Sequence, residues 1–416
     1  MTDREVLRPL VDRVLELSAL PCQRERAELS ARLNALQTTP RAPVIVTHEG
    51  IPFEHWRLML GEGFLRCESR EARDIEWTLR RDLWAQEHIG DDRVLWPHAY
   101  VSAATHDVQG WGVPLGRKSV GDSCTAWAYD PPFADGIDLS RLTAPDFEYD
   151  EQQTRERVER ASELVEGRLT VFVRAPDMGH QPFDTAVAMR GMEALLTDCA
   201  LEPEKVLELM EFLTEADLRH HRKREALGLI NCFPSPCGRF QAAGGRYNAS
   251  WLPEGFGRRA PRLADEWAYV SAQTSAGLGP EMYARLVHPF NCRLASLFCD
   301  NTVYYHACEP LDGKYDVLQS LPHLRRLHVS PWSSRRLAHE KFGRSVALEV
   351  HAHPGQVFFT HTRQDMADEI GRLLDETGDS PLDLNLSDIH SINGNPETLR
   401  VWTETAQEIA ASYGPR

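Results

Sequence analysis

Tyr304-Tyr305-His306-Ala307-Cys308-Glu309-Pro310-Leu311 places an imidazole, a thiol and a carboxylate within four residues. Val303 and the two tyrosines suit a pleated strand, and Pro310 ends any regular element four residues after His306. The trio therefore sits at a strand-to-loop junction. In an extended backbone, side chains two residues apart project from the same face, so His306 and Cys308 can share one ion. A borderline-soft ion such as zinc accepts imidazole nitrogen together with thiolate sulfur. Two donors do not complete a site, and the rest must come from elsewhere in the chain. Without them the pair reads as a structural cysteine beside a core histidine.

The elements that must position this pair follow from periodicity. Residues 5–36 carry apolar positions at helical spacing, broken near Pro21. Val44-Ile45-Val46 is a short strand, 71–87 an amphipathic helix, 94–101 extended, and 133–149 a Pro- and Gly-rich boundary loop. After residue 150 the texture changes: short apolar runs alternate with helical patterns at intervals of roughly 30 to 50 residues, the rhythm of parallel βα units. The runs are 169–173, 229–233, 267–270, 301–305, 327–330, 346–350 and 382–386. Helices are expected over 186–196, 204–227, 280–297, from 335, over 364–376 and over 396–413. Seven such strands and one from the first 150 residues make eight, the number that closes a (β/α)8 TIM barrel. The expected fold is α/β: a barrel over 151–416 carrying an N-terminal, mostly helical extension over 1–150.

Active sites of such barrels lie at the C-terminal ends of the strands. Reading off those ends collects Arg174, Asp177 and His180, then Cys232 and Cys237, then Ser271 and Gln273, with Glu266 and Trp267 at the start of the same strand. Next come His306, Cys308 and Glu309, then Ser330 and Trp332, then His351 and His353, and last Asp388 and His390. His323, His328 and His361 read as surface or loop residues.

Composition sets outer bounds. The 46 Lys and Arg against 62 Asp and Glu give a net charge of −16. That argues against nucleic acid or an anionic membrane as a partner. No apolar run approaches the roughly 20 residues of a membrane span, and the N-terminus lacks the apolar core of a signal peptide. A cytoplasmic protein is expected. Nine scattered cysteines are then expected to be reduced.

From Asp265 onward the chain resembles the uroporphyrinogen decarboxylase superfamily, and most of all its methyltransferase-like members, including the methylcobalamin:coenzyme M type. The resemblance rests on Gly279-Pro280-Glu281-Met282-Tyr283 with His288-Pro289, on the 305–311 motif, on Leu324-Arg325-Arg326 through Ser330-Pro331-Trp332, and on Asn395-Pro396-Glu397-Thr398-Leu399-Arg400-Val401-Trp402. Met189-Arg190-Gly191-Met192-Glu193 and Pro203-Glu204 also fit. The resemblance implies a (β/α)8 barrel and a zinc ion held by a His-x-Cys pair and a distant cysteine. His306 and Cys308 match the pair, but no cysteine follows Cys308. His390 or Asp388, at the end of the last strand, is expected to stand in, with His390 preferred and His351 and His353 as rivals. The Arg-rich loop of the decarboxylase itself, of the type Met-Arg-Gln-Ala-Gly-Arg, is absent, which argues against uroporphyrinogen as substrate.

The resemblance implies a zinc-dependent methyltransferase that moves a methyl group between a small methylated substrate or thiol and a corrinoid carried by a partner protein. Glu309 and Asp388 are the expected catalytic groups. Arg174, Asp177, His180, Glu266, Trp267, Gln273, Trp332, His351 and His353 are the expected substrate contacts. Two alternatives stay open: a metal-independent decarboxylase or lyase acting on a small carboxylate, and a non-catalytic ligand-binding barrel.

Overall fold

Leu382-Asp383-Leu384-Asn385-Leu386 alternates strictly between apolar and polar, yet all five residues are buried. A strand covered on both faces is the arrangement that permits this, and it is how parallel sheets pack. The computed structural model describes residues 1–119, 127–176, 181–231, 262–298 and 303–416. Its strands are β1 (Val44–Val46), β2 (His98–Ser102), β3 (Thr105–Gln109), β4 (Gly116–Ser119), β5 (Trp127–Asp130), β6 (Asp146–Tyr149), β7 (Thr170–Arg174), β8 (Ala268–Ser271), β9 (Val303–His306), β10 (Leu324–Val329), β11 (Ala347–His351) and β12 (Leu382–Leu386). Six of them form one parallel sheet in the order β1-β12-β11-β10-β9-β8. β2 and β7 form a separate parallel pair, and β3–β6 and β4–β5 are antiparallel pairs within residues 105–149.

The expected circuit of eight strands thus stands as six plus two. The first 150 residues contribute two strands to these parallel pairings, β1 and β2, where one was expected. The run at 229–233 has no strand in its described part, and residues 232–233, with the insertion to 261, lie outside the described residues. The stretch expected to be loop, 133–149, ends in β6.

A local interaction explains why the large sheet stops at β1. The outward backbone N–H groups of Val44 and Val46 donate to the carboxylates of Asp92 (2.7 Å) and Asp91 (2.8 Å). Asp92 N–H donates to the Val44 carbonyl at 2.9 Å, and Arg93 donates to that of Val46. The turn at 91–93 therefore satisfies the edge groups that a neighbouring strand would otherwise take.

The two faces of the large sheet differ. Val303, Tyr305, Leu327, Val329, Leu348, Val350, Leu384 and Leu386 point into the main apolar core with the helices. Two of those helices, Arg363–Glu376 and Glu397–Tyr413, pack against one another. Thr362 starts the first through a reciprocal cap with Asp365. The helix expected over 186–196 is two, Pro182–Arg190 and Met192–Leu201, because Gly191 breaks the run at φ 87°. A second core joins the helices Asp3–Ser18, Arg70–His88 and Glu151–Leu164 to one face of β2 and β7. Among the described residues, no helix is long and apolar enough to cross a membrane.

His98, at the start of β2, is buried and bonded to the Tyr100 hydroxyl. Burial pushes its imidazole down to about 4, with Asp82 opposing. A folded-state value below the unfolded one means that this contribution to stability is full above about pH 6.5 and is lost as pH falls toward 4. Thermal melts should therefore drop between pH 7 and 4. The His98→Gln variant should lose up to about 3 kcal/mol of that pH dependence, the free-energy equivalent of the shift. An unchanged slope would assign the acid sensitivity elsewhere.

Candidate metal centre at the strand ends

The second face of the large sheet is polar. Register places Tyr304 beside Arg326 and Tyr269, His328 beside Glu349, Glu349 beside Asp383, and His351 beside Asn385. Side chains alternate, so these residues share the face opposite the apolar core. They form two layers. In the lower one Arg326 donates to both oxygens of Asp383 at 2.8 Å, meets Glu349 at 3.4 Å and donates to Asn34 at 3.0 Å. Asn385 adds a bond to Asp383 at 3.1 Å. Arg326 is 1% exposed.

Above this layer, toward the C-terminal ends, three imidazoles stand in a row. The rings of His306 and His328 are 4.5 Å apart edge-on, and those of His328 and His351 are stacked at 4.0 Å. His351 has both nitrogens committed, Nε2 to Glu349 (2.9 Å) and Nδ1 to Ser387 (2.8 Å). His306 Nδ1 meets the Tyr304 hydroxyl at 3.0 Å, and its Nε2 lies 3.2 Å from Cys308 Sγ. Burial pushes His306 down to about 4, with Glu349 and Asp388 opposing, so the ring is neutral. His328 is 2% exposed, and neither ring nitrogen has a hydrogen-bond partner of normal geometry. The Ala307 backbone lies close enough for a weak hydrogen bond that favours the charged ring. Burial and the neighbouring imidazoles keep it neutral as well.

One nitrogen each of His306 and His328 and the Cys308 sulfur lie within 4.8 Å of one another. His328, Glu349 and His351 form a second such group, but there the donors of His351 are already in use. The first group offers what a zinc ion takes: two neutral nitrogens and one sulfur, with His328 free of hydrogen bonds of normal geometry.

The loop after β9 is held in place by serines of the next loop. Ser330 Oγ donates to the Glu309 carbonyl at 3.1 Å, and Leu311 N–H donates to Ser333 Oγ at 3.1 Å. Glu309 is buried with no hydrogen bond of normal length on its carboxylate, the Lys314 ammonium lying 3.7 Å away. Burial pushes its carboxyl up to about 8 against the pull of Lys314. Burial, then Asp388 and Glu309, push the Cys308 thiol up, so the sulfur keeps its proton until something replaces it. Asp388 takes a left-handed backbone at φ 54° and brings a carboxylate oxygen to 3.9 Å from Cys308 Sγ.

Other expected site residues are dispersed. His390 is exposed in the loop beyond Asp388 and belongs to neither donor group. His328, read from the sequence as a surface or loop residue, is instead buried on β10. His353 caps the helix Pro354–Phe359 through Gln356 N–H and packs edge-on against Trp332, which is 60% exposed. Glu266 is buried in a two-pronged pair with Arg224, at 2.9 and 2.7 Å, which commits both its oxygens. Trp267 packs with Tyr304, and Gln273 is exposed. Arg174 stacks on the Tyr100 ring at 5.1 Å and lines a cleft of about 520 Å³ with Arg70, Asp74 and Arg157. Asp177, His180, Cys232 and Cys237 lie outside the described residues.

Tyr304, Arg326, His328, Glu349 and Asp383 were not singled out from the sequence. The available signal was polar residues alternating with apolar ones, complete in β12 and broken in β10 by Arg325 and in β11 by Ala347.

Searches against protein families and against curated proteins return no match. The fold is similar to that of a solved structure, the methyltransferase from Methanosarcina mazei. The TM-score is 0.51 at 10% identity, over 92% of this chain and 98% of that one.

Arg326→Met should destabilise the protein by about 3–5 kcal/mol, because it strips the guanidinium from two buried carboxylates. Denaturant titration measures this, and a loss under about 1 kcal/mol would mean that the layer is not held by charge.

Proposed function

We propose that the chain is a zinc-binding, methyltransferase-like enzyme that moves a methyl group between a small methylated substrate or thiol and a corrinoid or other carrier on a partner protein. The observation that carries this reading is His328. A buried imidazole with both nitrogens free of normal hydrogen bonds, within 4.8 Å of the donors of His306 and Cys308, supplies the third ligand that the sequence lacks as a cysteine. In this reading His306, Cys308 and His328 hold the metal. The similarity of fold to a methyltransferase supports the class, as does the resemblance of the motifs to the uroporphyrinogen decarboxylase superfamily.

We also infer that the two parallel sheets belong to one (β/α)8 barrel, with β2 and β7 between β1 and β8. The bond from Ala175 N–H to Asn231 at 2.8 Å supports that order.

The chemistry supplied by zinc at such a centre is to hold a substrate thiol as thiolate near neutral pH. The chain's own groups do the rest. Cys308 would release the proton it holds against His306 Nε2 to solvent as it took up the metal. His351 stacks on His328 and keeps it in place. Glu309, buried beside Cys308, exchanges a proton with the substrate, while the Asp388 carboxylate faces the sulfur from the last strand.

Protein purified without added metal should contain about one zinc per chain. It should be lost in His306→Ala, Cys308→Ala and His328→Ala and kept in His390→Ala. The wild type should also demethylate methylcobalamin in the presence of a small thiol, followed by the corrinoid absorbance. Stoichiometric zinc in all three ligand variants would overturn the assignment.

A further inference from the structure

We infer that Glu349, acting through the Tyr304 hydroxyl, fixes His306 as the tautomer protonated on Nδ1, leaving the Nε2 lone pair facing the Cys308 sulfur. This deepens the metal-centre reading, in which His306 is a ligand, but its evidence is a proton count within the chain.

The count starts at Glu349, which is completely buried. Three donors converge on its carboxylate: the Tyr304 hydroxyl at 2.8 Å and His351 Nε2 at 2.9 Å on one oxygen, and Arg326 at 3.4 Å on the other. An ionised carboxylate accepts and cannot donate. Tyr304 has one hydroxyl proton, and it goes to Glu349. Toward His306 Nδ1, 3.0 Å away, the same oxygen can then only accept. The proton of the neutral imidazole must therefore sit on Nδ1, and Nε2 carries the lone pair. On the other side of the ring Cys308 Sγ lies 3.2 Å from Nε2, the nitrogen that this count leaves with the lone pair.

The ring cannot easily turn over to exchange the two nitrogens. Tyr269 stacks on it at 5.4 Å and 29°, and His328 closes on its edge. Glu349 in turn is held by Arg326, which Asp383 anchors from the next strand but one. The same carboxylate oxygen also sets the tautomer of His351, whose Nδ1 is left to accept from Ser387. Glu349 and Tyr304 are thus positioning residues: neither reaches the sulfur, yet together they decide which nitrogen His306 presents to it. Orientation of this kind is what partners behind a metal-ligating histidine provide.

The test is nitrogen NMR of metal-free protein labelled with 15N-histidine, beside zinc titration. In the wild type, His306 should show a protonated Nδ1 and a bare Nε2. In Tyr304→Phe, which keeps the ring and removes only the hydroxyl, the Nε2-protonated form should appear. Zinc affinity should then fall about 10- to 100-fold with the melting temperature little changed. A wild-type His306 protonated on Nε2 would overturn the inference, and so would a folded Tyr304→Phe with unchanged tautomer and affinity. If that variant does not fold, the wild-type spectrum alone decides. A wild type that binds no zinc would sink the metal reading, while the tautomer readout would still judge this inference.

Discussion

A guanidinium buried between two carboxylates is the constraint on which the polar face of the large sheet depends. Arg326 reaches Glu349 on the neighbouring strand and Asp383 on the next but one, and all three side chains are buried. Charges there are tolerable only if each is met by an opposite charge and further hydrogen bonds. Meeting that condition fixes the relative register of β10, β11 and β12. It also fixes Glu349 as an acceptor, and through Tyr304 and His351 the orientation of two of the three imidazoles above it. The ionic layer does more for geometry than for net stability, since an apolar layer of the same volume would pack at lower cost.

The division of the parallel strands into six and two has a similarly local cause. The buried turn at Asp91, Asp92 and Arg93 occupies the hydrogen-bonding edge of β1, so β2 is left to pair with β7. The late strands, which carry the imidazoles and the thiol, are then one continuous hydrogen-bonded unit. The expected substrate contact Arg174 belongs to the other unit.

His328 shows what strand-end arithmetic passes over. Counting from strand ends favours residues just past them, and His390 qualifies. The chain, however, turns at Asp388 in a left-handed conformation and carries His390 out to solvent. His328 lies inside β10, on the same face as Arg326 two residues earlier, and so comes within reach of His306 on the neighbouring strand. Loop residues look available in a sequence because nothing in it shows which way a loop turns.

The sequence by itself determined the βα rhythm, the position of nearly every late strand, and the His306–Cys308 pair, because these depend on periodicity and on spacing within one extended segment. β12 was legible to the residue. Burial of both its faces was not written there, because polar positions alternating with leucine are the pattern of a strand with one wet face. Tertiary structure alone decided that β2 pairs with β7, that Glu266 is spent on Arg224, and that His328 comes beside His306. Each of these depends on which groups from distant segments satisfy one another once water is gone. That is a property of three-dimensional proximity, and spacing along the chain does not encode it.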